Sequence, residues 1–260
     1  LTFTGSGELD NGMSIVTYQE IDGGTLDDRY FSVAMDGLGK MTFHAHGGGT
    51  AMSAVDDTTP TAYGESWDLI GHTATSTSKT TGQADKEGAI GGFATANSFF
   101  YDAPEMVEGL DVNLSYTPSG TARPDGSISV ALAYTGVEGL TVGYAQDDNG
   151  LSGTSSLETE TMYAKYAFGS FTVGITESEQ DQTGATTSDD EFSAMGITYQ
   201  VSDDLTIGYN TSERQFGDQT GDQESAAMSI SYTSGGMTVT AKKIGADNVD
   251  GSSTGSNNNN

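Results

Sequence analysis

Apolar and polar residues alternate one by one along most of this chain. In the segment 128–134, for example, Ile128, Val130 and Leu132 alternate with small residues. Because successive side chains of a β-strand point to opposite faces, a period of two predicts strands with one apolar and one polar face. Helical spacing is nearly absent. The pattern predicts about fourteen strands, at 1–9, 13–21, 29–35, 40–46, 97–103, 110–117, 128–134, 140–146, 159–167, 171–177, 192–200, 205–213, 225–232 and 237–244.

Two features favour a membrane barrel over a soluble β-sandwich. Tyr recurs where the apolar face of a strand ends, as at Tyr116, Tyr134 and Tyr199. Aromatic side chains flanking a short apolar band are typical of the two interfaces of a bilayer. The predicted links also alternate between short and long, with 22–28 among the long ones. This alternation is typical of an up-and-down barrel with tight turns at one rim and large loops at the other.

The charge of the chain excludes several classes of partner. Nine Lys and Arg stand against 37 Asp and Glu, and the formal net charge is −28. A nucleic-acid binder needs basic residues to neutralise phosphates, so nucleic acid is not an expected partner. The chain has no Cys, which excludes disulfides and thiolate metal sites. The predicted long loops hold much of the acid, for example Asp147, Glu179 and Asp190.

The longest predicted link, residues 47–96, needs a function or a partner because it has no convincing strand. A loop of this length can fold into the lumen of a barrel and narrow it. Its acidic side chains are the candidates for one side of a pore constriction: Asp56, Asp57, Glu65, Asp68, Asp85 and Glu87. The candidates for the opposite wall are basic or polar residues on the polar faces of strands: Lys40, His44, His46, Lys165, Arg214 and Lys242.

Metal and catalytic sites are weakly supported by the sequence. His44 and His46 stand about 6.5 Å apart along one strand, and with His72 they could form a three-histidine site. Solvated lumen residues are the favoured interpretation, so no metal and no cofactor are expected. Acidic turns such as 147–149 could hold Ca²⁺ loosely, but none has the spacing of a known calcium loop. No catalytic arrangement or phosphate-binding loop stands out, and no enzymatic activity is expected.

Residues 97–104, with the sequence Asn-Ser-Phe-Phe-Tyr-Asp-Ala-Pro, and the Ser-Tyr strand that follows resemble general diffusion porins. The hairpin 29–43 is similar to the strand pair that precedes the constriction loop in that family, and the likeness is closest to porins of marine α-proteobacteria. The resemblance implies an all-β, transmembrane antiparallel up-and-down β-barrel of sixteen strands. About fourteen strands are predicted in this single domain, 1–260, so the first and last strands of the family pattern are expected to be missing.

The resemblance also implies a homotrimer in outer-membrane lipid and passive diffusion of small hydrophilic solutes and ions. The acidic loop favours cations over anions. With so few basic residues, the ladder of Arg that faces the loop in the family is expected to be thin. Two alternatives remain open at this stage. One is a structural or surface-recognition barrel whose acidic extracellular loops bind a phage, a cell or an array. The other is a soluble secreted β-protein.

Overall fold

The computed structural model describes most of the chain and consists of one large antiparallel sheet. The described residues are 1–68, 96–121, 124–152, 156–182, 189–217, 221–251 and 256–259. Their strands are β1 (Thr2–Glu8), β2 (Ser14–Asp22), β3 (Thr25–Met35), β4 (Gly39–His46), β5 (Ser98–Asp102), β6 (Leu110–Thr117), β7 (Ser127–Val137), β8 (Leu140–Asp148), β9 (Leu157–Phe168), β10 (Phe171–Gln182), β11 (Asp190–Ser202), β12 (Leu205–Gln215), β13 (Gln223–Ser234), β14 (Met237–Asp247) and β15 (Ser256–Asn259).

Each strand pairs with the strand that precedes it and the strand that follows it in the chain. The order across the sheet is β1 to β15, and β1 and β15 lie at its two ends. Every neighbouring pair is antiparallel, as in β10 and β11, where Gly174 lies opposite Gly196 and Ile175 opposite Met195. This is the up-and-down topology that the alternating pattern predicts.

The two faces of the sheet have opposite character. Large apolar side chains are exposed on one face, including Met195 (61% exposed) and Met228 (66%). Small and polar side chains are buried on the other face, including Ser129 (1%) and Ala227 (1%). A soluble sandwich would bury its apolar face against protein. An apolar face turned away from the protein is instead the arrangement of a barrel whose outer surface meets lipid.

Two details of the sequence prediction are wrong. The link 22–28 is not a long loop, because β2 and β3 are joined directly by Gly23 and Gly24. Both glycines have positive φ, 55° and 84°, which suits a tight two-residue hairpin turn and lets Asp27 and Asp28 join β3.

The other detail concerns strand ends. Several acids assigned to loops lie on strands, namely Asp147 and Asp148 on β8, Glu179 and Asp181 on β10, and Asp190 on β11. The described residues contain the fourteen predicted strands and one further short strand, Ser256–Asn259, which pairs with the end of β14. Main-chain hydrogen bonds alone can extend a ladder, so these segments need no alternation of apolar residues.

Candidate lumenal site

The segment from Gly47 to Asp68 leaves β4 and crosses the polar face of the sheet. It begins with a short 3₁₀ turn, Ala51–Ala54, whose N-cap is Thr50. The Ala51 amide donates to Ser129 Oγ on β7 at 2.7 Å and to Ser115 Oγ on β6 at 3.2 Å. Ala51, Met52 and Val55 pack in a small apolar cluster with Ala131, Ala145 and Tyr163, so this end of the segment is fixed to β7, β8 and β9.

The middle of the segment is held by hydroxyl groups. Thr58 Oγ1 and Thr59 Oγ1 lie 3.1 and 3.0 Å from Thr176 Oγ1 on β10. Thr61 Oγ1 lies 3.2 Å from Ser229 Oγ on β13, which also accepts a hydrogen bond from the Ala62 amide. These contacts join residues more than a hundred positions apart, and each satisfies a polar atom without adding charge to the lumen.

Glycines on the wall make room for this close approach. A Cβ atom at Gly174 would lie 2.7 Å from Pro60 Cδ, and one at Gly196 would lie 2.2 Å from the Pro60 carbonyl oxygen. A Cβ atom at Gly208 would lie 2.6 Å from the Ala62 amide nitrogen. Side chains at these three positions would therefore push the segment off the wall. Glycine in a strand interior often marks such a close backbone approach.

The far end of the segment carries a second apolar anchor. Trp67 is 5% exposed and packs edge-to-face on Phe192 of β11, with ring centroids 5.0 Å apart. Ala227 and Ile244 belong to the same buried cluster on β13 and β14. Ser66 Oγ also lies within hydrogen-bond distance of Ser212 and Ser225, at 3.2 and 2.9 Å. The segment therefore spans the polar face from β6 to β14.

An ion pair fixes the acidic end of the segment to β14. Lys242 Nζ lies 2.9 Å from Asp68 Oδ2 and donates to the Glu65 carbonyl oxygen at 3.2 Å. The same Asp68 oxygen accepts from the Glu65 amide at 2.8 Å, and Lys242 Nζ lies 5.7 Å from the centre of the Tyr63 ring. The Lys242 side chain is only 6% exposed, so this cation is largely shielded from solvent.

Glu65 lies next to this ion pair with an altered acidity. The pKa of its carboxyl group is raised to about 7, mainly by burial and in addition by the negative charges of Asp57 and Asp68. A hydrogen bond with the Asp68 side chain acts in the same sense, because it stabilises the protonated form. Glu65 therefore changes charge close to neutral pH, whereas an exposed glutamate is ionised there.

The other acidic candidates in the long link are placed differently. Asp56 and Asp57 are exposed just after the 3₁₀ turn. Asp85, Glu87 and His72 lie outside the described residues, so the predicted roles of the two acids, and the preference for solvated histidines over a three-histidine site, stay predictions.

The wall candidates on β4, β9 and β12 have neighbours on the wall itself. Lys40 Nζ pairs with Asp102 Oδ2 on the neighbouring strand β5 at 2.7 Å. Arg214 Nη2 pairs with Asp190 Oδ2 at 3.0 Å, and both side chains are almost fully buried. Lys165 is half-buried on β9, opposite Gly174.

The two histidines of β4 have different neighbours. His44 packs against Tyr30, with ring centroids 5.6 Å apart. His46 Nδ1 lies 3.5 Å from Asp27 Oδ1 at the end of the strand. Among the described residues, Asp27, Asp28 and His46 form the group whose ligand atoms lie within 4.8 Å of one another. All three are partly or fully exposed, and exposed acidic groups of this kind are common without an ion.

The sequence prediction missed the wall residues that receive the loop. Thr176, Ser212, Ser225 and Ser229 are ordinary small residues of the polar face, and Gly196 is one glycine among 36. Their positions in the alternating pattern of each strand place them on that face, but only the fold shows that the loop lies against them. Asp102 was also missed, although its position directly across from Lys40 follows from the antiparallel register.

Known proteins share the fold of this chain. No helix in the described part of the chain is long and apolar enough to cross a membrane. No curated protein sequence matches the chain. Among solved structures, a porin refined at 1.8 Å has 15% identity and a TM-score of 0.63, with 95% of this chain and 85% of that chain covered. An anion-selective porin from Comamonas acidovorans has 12% identity and a TM-score of 0.64, with 95% and 77% covered.

OmpT of Vibrio cholerae, an outer-membrane protein, has 13% identity and a TM-score of 0.58, with 97% of this chain and 88% of that chain covered. At these identities the structural matches show a shared porin barrel fold. The profile of the Gram-negative porin family matches residues 1–254, nearly the whole chain. The chain therefore belongs to the Gram-negative porin family and is an outer-membrane diffusion porin.

Proposed function

We propose that the chain forms a water-filled, cation-selective channel that residues 47–96 narrow as a constriction loop. The observation that carries this proposal is the course of Gly47–Asp68 across the polar face from β6 to β14. The loop brings its carboxylates onto the surface that a porin barrel encloses. Small hydrophilic solutes would pass by diffusion, and no chemical step or cofactor is involved.

The preference for cations follows from the pairing of charges on this face. Three basic side chains of the described polar face, Lys40, Arg214 and Lys242, each lie against a carboxylate. Their charges are largely compensated at short range. Asp56 and Asp57 are exposed on the loop, and carboxylates in a narrow lumen with low-dielectric walls attract cations and repel anions.

The resemblance to general diffusion porins further supports a homotrimer, which we include in the proposal. Its outer surface would contact outer-membrane lipid over most of the barrel and other copies over the rest. Sizing of the protein in mild detergent measures the assembly directly. A single-chain mass for protein that conducts in bilayers would contradict the trimer but leave the channel intact.

The channel itself is tested by conductance in planar bilayers under a KCl gradient. We expect stepwise conductance with a cation-selective reversal potential. In the double variant Asp56→Asn/Asp57→Asn, the ratio of K⁺ to Cl⁻ permeability should fall about twofold or more, since two exposed charges leave the lumen. The matched control is Asp203→Asn/Asp204→Asn, which removes two exposed acids from the short turn between β11 and β12.

Three other outcomes would contradict separate parts of the proposal. Anion selectivity of the native chain would keep the channel and reject the charge assignment. An equal fall in selectivity for both double variants would show that Asp56 and Asp57 do not lie at the constriction. Folded, inserted protein without conductance would favour a barrel that serves recognition at the cell surface.

A further inference from the structure

A cavity of about 480 Å³ lies against the polar face of β2 to β5, beside the start of the loop. Gly49 and Ser53 of the loop lie on one side of it, and the strand residues on the other. Pockets that hold small organic ligands typically have volumes of about 300–1,000 Å³. The cavity is therefore large enough for a small organic solute that enters the lumen.

Aromatic rings form one part of its wall. Tyr30, His44 and Phe100 line the cavity from β3, β4 and β5. Tyr30 lies directly between Tyr18 and His44 across β2, β3 and β4. Its ring stacks on Tyr18, with centroids 5.1 Å apart and planes only 9° apart, and the His44 ring is tilted by 49° against it. Rings held in a row at a wet surface offer apolar carbon to the C–H groups of a sugar ring, whereas the edges of the sugar are polar.

A compensated ion pair forms another part of the wall. Lys40 Nζ and Asp102 Oδ2 lie 2.7 Å apart, and the Asn113 amide donates to the other Asp102 oxygen at 3.0 Å. A carboxylate can accept further hydrogen bonds, and an ammonium group has three donors. The Lys40 side chain is 49% exposed, so its remaining donors can reach a solute. The pair thus offers both donors and acceptors but no net charge.

The two parts of the wall are separated along the pore axis. His44 and Lys40 lie four residues apart on β4, which corresponds to about 13 Å along a strand. Thr42 and Ser32 lie between these levels and add hydroxyl groups to the lining. A solute that spans this distance would contact a ring face at one end and mixed hydrogen-bonding groups at the other. A single small ion is too short to contact the rings and the ion pair at the same time.

The geometry points to a lumenal binding subsite for neutral sugars of one or two rings, formed by Tyr30, His44, Phe100, Lys40 and Asp102. The inference rests on the proposed function, because it takes this face of the sheet to line the channel. Within a chain of net charge −28, a wall patch without net charge gives uncharged solutes a place to bind that the acidic loop does not offer.

Saturation-transfer NMR on the folded, detergent-solubilised chain tests the subsite without relying on conduction. The probe is methyl β-D-glucoside at about 10 mM, a concentration suited to millimolar affinity. We expect saturation transfer to the C–H protons of the sugar ring. In Tyr30→Ala the transfer should fall about threefold or more, because a stacked ring contact is lost. Tyr199→Ala, which removes an exposed aromatic from the apolar face, is the matched control and should not change it.

A second variant covers the case in which Tyr30→Ala does not fold, as judged by its heat-modifiable migration on a gel. Lys40→Met keeps the length of the side chain but removes its donors, and it should also reduce the transfer. Absence of transfer in the native chain, or equal transfer in the native chain and the folded variants, would overturn the subsite. Conductance in KCl separates this result from the proposed function. A conducting chain without transfer loses only the subsite, and transfer without conductance keeps the subsite and rejects the channel.

Discussion

Glu65 should make the channel sensitive to pH near neutrality. Its carboxyl group is buried beside Asp57 and Asp68, and its pKa is raised to about 7. Ionisation of Glu65 adds one negative charge beside those of Asp57 and Asp68. The end of the loop therefore becomes more negative as the pH rises through 7, and cation selectivity should rise with it.

The same shift predicts a change in stability with a definite sign. Between the ordinary pKa of 4.5 and about 7, the folded chain keeps a proton on Glu65 that the unfolded chain has released. Stability must then fall as the pH rises through this window, since the folded state binds more protons. At 1.36 kcal/mol for each pKa unit, the raised pKa lowers the free energy of unfolding by about 3 kcal/mol at pH 8 relative to pH 4.

The assay measures the reversal potential in a KCl gradient from pH 5 to pH 9, for the native chain and for Glu65→Gln. We expect a sigmoidal rise in cation selectivity with its midpoint near 7 in the native chain and no such step in Glu65→Gln. Histidine can change charge in the same range, so His44→Gln and His46→Gln are the controls and should retain the step. A flat native profile, or a step that survives in Glu65→Gln, would refute the assignment to this carboxyl group.

Two further predictions concern the wall glycines that the loop packs against and a buried ion pair. Gly196→Ala places a Cβ atom 2.2 Å from the Pro60 carbonyl oxygen, so single-channel conductance should rise and cation selectivity should fall as the loop is displaced. Gly7→Ala, which meets no atom within 4 Å, is the control and should behave as the native chain. Arg214→Ala removes the buried cation that pairs with Asp190 and should lower the free energy of unfolding by about 3–5 kcal/mol, seen as a lower temperature of barrel unfolding. An unchanged temperature would show that Arg214 contributes nothing to stability.

The alternation of apolar and polar residues predicted the strands well. Successive side chains of a strand point to opposite faces, and the two faces of a barrel wall meet different environments. Segment 110–117 agrees with β6 to the residue, and segment 205–213 lacks only the last two residues of β12. The prediction failed where hydrogen bonds alone extend a strand, since polar residues beyond the membrane need not alternate. Asp190, at the start of β11, is one such residue.

The candidate site was predictable only in part for a related reason. Parity along β14 predicts Lys242 on the polar face, as the structure places it, but no local pattern connects it to Asp68, 174 residues earlier. That contact depends on how the loop crosses the lumen. The crossing in turn depends on glycines such as Gly196, which the sequence presents as small residues without a partner. Strand parity is a local property, whereas the docking of a loop is set by the whole wall.

The way the loop is attached bears on the proposed preference for cations. Many contacts of Ala51–Ser66 with the wall are made by amides, hydroxyls and apolar side chains, as at Thr59 and Thr176. The described loop meets the wall through an ion pair at Asp68 and Lys242. Neutral hydrogen bonds hold the loop in place without neutralising its charges. In a loop fixed by many ion pairs, the carboxylates would be neutralised by cations of the wall. A small number of basic residues is therefore sufficient to hold this loop, and the shortage of Lys and Arg is consistent with a cation-selective pore.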